Sequence, residues 1–153
     1  MKRIAILVAS LFAFVVSSCS SVDAIDPYSS YHINNEIDEV ILVYVESTPA
    51  YSYLLSSGEI PMGTTIYPLK DNTWIARTSK LGVNVCTNKN FTFSFVFKNG
   101  VKHTFSGEKI ANDFRDANSW QKELRVDEYG TSCETYTYTF TQEDYEEIMA
   151  LYE

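Results

Sequence analysis

FTFSFVFKNGVKHTFS, residues Phe91 to Ser106, puts a phenylalanine at every second position from Phe91 to Phe97. Side chains alternate faces along a strand, so the four rings share one face. Asn99-Gly100 then marks a hairpin turn. The face pattern selects the register. A two-residue loop opposes Phe97 to Lys102 and Phe95 to Thr104, mixing apolar and polar groups. A three-residue loop, Lys98-Asn99-Gly100, opposes Phe97 to Val101, Phe95 to His103 and Phe93 to Phe105. One face is then almost wholly apolar. A one-residue slip exchanges a strand's faces, so the pattern predicts the three-residue loop with Gly100 left-handed.

Outward from this hairpin the signals remain those of strands. Val40 to Val45 is a continuous apolar run rich in β-branched residues, expected as a strand buried on both faces. Tyr51 to Leu55, Thr64 to Pro68, Trp74 to Thr78 and Val83 to Thr87 are further short strand candidates. Gly58, the Pro61-Met62-Gly63 run, Asp71-Asn72 and Gly82 supply turns between them. Residues 111–130 read equally as a short helix or an ordered loop carrying Phe114. Thr135 to Phe140 alternates again, with Tyr136, Tyr138 and Phe140 on one face. Thr141 and Asp144 then have the spacing of a capping box. Tyr145, Ile148, Met149 and Tyr152 follow on one helical face. The expected fold is mainly β: an antiparallel β-sandwich or partly open barrel with a short C-terminal helix.

The N-terminus reads as an address. Met1-Lys2-Arg3 is a short positive region, and Ile4 to Val16 is thirteen uncharged, apolar residues. A helix needs about 20 residues to cross a bilayer, so this run is expected to be a secretory signal and not a permanent span. Val16-Ser17-Ser18-Cys19 resembles the lipobox of bacterial lipoproteins. The resemblance implies cleavage before Cys19 and a lipid anchor on its thiol. Two or more acyl chains suffice for stable anchoring. Ser20 in place of Asp implies the outer membrane. Residues 1–18 are thus read as signal peptide, 19–30 as lipidated cysteine and flexible tether, and 31–153 as a single β-rich domain. The ending carried by Tyr136, Tyr138, Phe140, Thr141, Asp144 and Tyr145 is similar to that of small Bacteroidetes-type surface lipoproteins.

Removing Lys2 and Arg3 with the signal leaves ten basic against 20 acidic residues, a formal net of −10. Such a domain is repelled by nucleic acid and anionic headgroups. A protein partner or a neutral glycan remain as classes of ligand. Cys86 and Cys133 are the two cysteines left once Cys19 is lipidated. Outside the cytoplasm they are candidates for a disulfide, with two separate buried thiols as the alternative.

Chemistry is thinly represented. His32 is expected beside the tether in solvent, and His103 on the apolar face of the hairpin. No His-x-x-x-His or Cys-x-x-Cys spacing supports a metal site, and no Gly-x-Ser-x-Gly elbow is present. Asp113, Asp116 and Asn118 carry oxygens suited to calcium, but their spacing is not that of an EF-hand and fits a capped turn better. Trp74 and Trp120 are the indoles on which a sugar ring would stack. The expected function is therefore a non-enzymatic, membrane-anchored accessory domain that binds a protein, with neutral-glycan binding through Trp74 or Trp120 and surface tyrosines as the alternative. A small hydrolase is the third reading. No cofactor is expected.

Overall fold

The computed structural model describes residues 28–79, 84–105, 110–126 and 128–153. The expected signal peptide, Cys19 and most of the expected tether lie outside them. The described strands are β1 (Tyr28–Asn35), β2 (Ile41–Ser47), β3 (Gly63–Ile66), β4 (Lys70–Ser79), β5 (Phe91–Val96), β6 (Lys102–Thr104), β7 (Trp120–Val126) and β8 (Ser132–Phe140). Three short helices are α1 (Ser52–Ser56), α2 (Asn84–Thr87) and α3 (Gln142–Ala150). The strands form two four-stranded sheets, ordered β4-β1-β8-β7 and β3-β2-β5-β6. The fold is a β-sandwich with a short C-terminal helix.

The hairpin that fixes the second sheet has the expected register. Phe95 opposes His103, and Val96 opposes Lys102. The Phe97 amide donates to the Val101 carbonyl at 3.0 Å, and Gly100 takes a φ of +87°. A side chain at Gly100 would be strained there, which is why the loop carries glycine. Phe91, Phe93, Phe95 and Phe97 all face inward and are buried.

From the other sheet, Tyr31, Ile33, Trp74, Trp120, Tyr136, Tyr138 and Phe140 meet them. Phe114, on the connection from β6 to β7, sits at the centre. Its ring centroid lies 4.9 Å from those of Trp120 and Tyr138, 5.2 Å from Phe95 and 5.5 Å from Trp74. Edge-to-face and tilted pairs dominate, as ring quadrupoles favour. A loop residue thus plugs the space between the sheets.

The capping box forms as expected: Asp144 Oδ2 accepts the Thr141 amide at 2.7 Å, and Thr141 Oγ1 accepts the Asp144 amide at 3.3 Å. The same carboxylate accepts Asn112 Nδ2 at 2.9 Å, which ties α3 to the β6–β7 connection.

Several sequence expectations are corrected. Residues 28–30 belong to β1, not to the tether, because β1 pairs with both β4 and β8 along its length. The first sheet is mixed: β1 runs parallel to β8, with Tyr31 opposite Tyr136 and Ile33 opposite Tyr138. β2 is buried on one face, with Ile41, Val43 and Val45 inward and Tyr44 exposed. Residues 51–55 close a 3-10 turn into α1, and the described part of 83–87 is α2, so neither is a strand. Small clusters of apolar residues in such short runs do not separate strand from helix. Asn72 lies within β4, but its side chain still organises the preceding turn. It accepts from the Tyr67 amide at 2.9 Å and donates to the Lys70 carbonyl at 2.9 Å. Residues 120–126 are β7, neither helix nor loop.

Candidate interaction edge

Neither indole is available to a sugar. Trp74 is 4% exposed and Trp120 6%, both inside the aromatic core. Trp120 Nε1 donates to the Phe114 carbonyl at 2.8 Å. The glycan platform expected from these residues is therefore not present, because core packing has taken both ring faces.

The expected disulfide is not formed either: Cys86 and Cys133 are free, buried thiols. Strand alternation gives the reason. Tyr136, Tyr138 and Phe140 point into the core, so Cys133 points to the opposite face of the sheet. Its Sγ lies 3.9 Å from Ser30 Oγ and 4.0 Å from Thr135 Oγ1 on that outer face. Cys86 belongs to the core cluster on the inner face. Burial pushes the Cys86 thiol well above its ordinary pKa, which keeps it protonated and a poor nucleophile.

The two histidines and the aspartates of the β6–β7 connection make structural contacts. His103 is buried as expected, with Nδ1 3.3 Å from Tyr152 Oη and its ring edge-on to Phe105. His32 lies within β1 and not beside a tether, and it is partly exposed. It stands on the outer face of β1 with Nδ1 3.2 Å from Asp71 Oδ2. Asp113 Oδ1 accepts the Arg115 amide and Asp116 Oδ1 accepts the Asn118 amide, each closing a turn. Those oxygens cap backbone, as the turn reading requires. Among the described residues no cluster of three or more His, Cys, Asp or Glu side chains is arranged to hold a metal ion.

A groove of about 530 Å³ opens where β2 and β5 approach the turn after β3, lined by Asp38, Glu39, Val40, Leu42, Pro68, Val96, Phe97 and Lys98. Val40, Leu42, Pro68, Val96 and Phe97 make its apolar part, and none of its lining residues is a serine, threonine, cysteine or histidine.

The most exposed regular element is β7. Among the described residues it pairs with β8 alone, in unbroken register from Trp120 opposite Tyr138 to Val126 opposite Ser132. Only Trp120 is buried; residues 121–126 are all exposed. Leu124 and Val126 share the inward parity of Trp120, yet they are 71% and 66% exposed. Here the first sheet projects beyond the core. Tyr129, in the following turn, is 78% exposed. On the same face Lys122 Nζ meets Glu134 Oε1 at 2.6 Å, and Tyr136 Oη donates to Glu134 Oε2 at 2.7 Å. On the outer face Arg125 Nη2 meets Glu123 Oε2 at 2.6 Å.

The remaining described edges are less suited to accept a strand. β3 has four residues and β6 three. β4 is longer, but its pairing with β1 shifts register twice near Tyr31. Such irregularities twist an edge away from pairing. No direct sign of the β7 edge is legible in the sequence. Its one signal was Leu124 and Val126 alternating with charged residues in a stretch without a clear helical period.

No protein-family model, curated protein or solved structure matches this chain.

Proposed function

We propose that this protein is a non-enzymatic, lipid-anchored accessory domain of the outer membrane that binds a protein by strand addition to β7. The observation that carries the reading is the long, regular edge with two exposed aliphatic side chains. Strand addition supplies main-chain hydrogen bonds for affinity and alternate side-chain contacts for specificity. The lipobox at Cys19 and the polar run behind it support a tethered position at the membrane surface. The burial of Trp74 and Trp120 leaves the glycan alternative only the exposed tyrosines.

The test is cross-linking in intact cells that express the full lipidated chain, followed by mass spectrometry. A reproducible protein adduct that is lost in Val126→Lys supports the reading. Adducts that are absent, or unchanged in Val126→Lys, refute it.

A further inference from the structure

We infer that the strand which completes the β7 edge is β7 of a second copy of this chain, paired antiparallel about a two-fold axis at Leu124. This rests on the proposal that β7 is a protein-binding edge, and it names the partner.

In a continuous sheet, directly opposed residues lie on the same face. A two-fold axis normal to the sheet must therefore pass through a residue position, with that residue facing its own copy. Only a few centres keep most of β7 paired. Centring on Lys122 or Arg125 sets like cations face to face across the axis. Centring on Glu123 opposes two carboxylates. Like charges directly opposed are unfavourable.

Centring on Leu124 gives a different pattern. Leu124 meets Leu124 of the second copy. Glu123 of each chain faces Arg125 of the other, twice by symmetry, and Lys122 lies opposite Val126. No like charges are directly opposed. The Glu123–Arg125 pair already present within the chain shows that these two side chains share the outer face. The two-fold therefore joins two such pairs into a four-charge network.

The inner face agrees independently. Leu124, largely exposed, would meet its copy there, and the equally exposed Val126 of each chain would lie beside that pair, opposite Lys122 of the other, so that the apolar side chains gather at the axis. Lys122 keeps Glu134 beside it, and its stem lies against Val126 of the other chain. The product is one continuous eight-stranded sheet, and the interface is isologous, as two-fold dimers require.

The test uses the full chain in intact cells, with Leu124→Cys placed on the axis. Mild oxidation is expected to give a disulfide-linked dimer on non-reducing gels, because only an on-axis residue faces itself. Tyr53→Cys, exposed on α1, is the control and should remain monomeric. Adding Glu123→Arg should reduce the dimer about tenfold, and adding Arg125→Glu to that variant should restore it. Absence of the Leu124→Cys dimer, or indifference to the charge exchange, overturns the inference. If it fails while a different protein still cross-links through β7, the strand-addition reading stands and only the partner is wrong. If β7 captures no protein at all, both fail.

Discussion

The indole Nε1 of Trp120 donates to the Phe114 carbonyl oxygen at 2.8 Å while the two rings stand 4.9 Å apart. One residue thus starts β7 and the other fills the core from the loop before it, and the bond locks the two together. Trp74, by contrast, is buried with no hydrogen-bond partner for Nε1 among the described residues. The two tryptophans should therefore respond differently to the same change. Trp120→Phe leaves a buried carbonyl without its donor and should cost roughly 1–3 kcal/mol beyond the loss of ring area. Trp74→Phe removes an unpartnered donor and should cost less. Urea unfolding of both variants measures the difference.

Phe114 makes ring contacts with both sheets, so its removal opens a cavity that neither sheet alone can close. Phe114→Ala should lower unfolding free energy by about 3–5 kcal/mol, the range for large aromatic truncations in a packed core. Chemical denaturation with near-ultraviolet circular dichroism reads both the stability and the loss of aromatic packing.

Asp144 serves two elements at once, accepting from the Thr141 amide and from Asn112 Nδ2. Asp144→Ala should cost about 2–3 kcal/mol, above the ~1 kcal/mol typical of a lost cap, because Asn112 Nδ2 loses one of its two acceptors as well and keeps only the Thr139 carbonyl. Thr141→Ala should fall near the typical cap value. A similar loss for both variants would show that the tie to Asn112 contributes nothing.

The thiols give a chemical test. The native protein should resist alkylation at Cys86, which is wholly buried and protonated. After unfolding without reductant, both Cys86 and Cys133 should be labelled. Intact-mass analysis counts the labels, and none gained on unfolding would mean the cysteines are bonded.

Acidification should weaken the β7–β8 end of the sheet. The Lys122 ammonium first, and then the Tyr136 hydroxyl, hold the Glu134 carboxyl below its ordinary pKa. The unfolded chain therefore takes up this proton at higher pH than the folded one. The contribution is present at neutral pH and is lost as pH falls through the folded-state value. Thermal unfolding of Glu134→Gln should differ from wild type at pH 7 and converge with it in acid.

Where the sequence was legible, a single periodicity ran uninterrupted. Phe91 to Phe97 allowed the hairpin register to be derived, and Tyr136 to Asp144 gave the last strand and its capped helix. β1 was missed because Tyr31 and Ile33 are its only apolar inward residues among serines and asparagines. Its burial comes from neighbours on both sides, which is tertiary information. β7 was missed for a related reason. Most of its side chains are exposed, so burial imposes no clear pattern on its sequence, and its strand character comes from pairing with β8. The tryptophans illustrate the reverse problem: residue type is compatible with either a platform or a core, and only three-dimensional neighbours decide.

The most direct measurement is photo-cross-linking from a photoreactive amino acid placed at Leu124 in the full chain, in living cells, with the same group at Tyr53 as reference. Strand addition at β7 predicts discrete protein adducts from Leu124, either a second copy or another protein, and none of them from Tyr53. The same adducts from both positions, or none from Leu124, would contradict it.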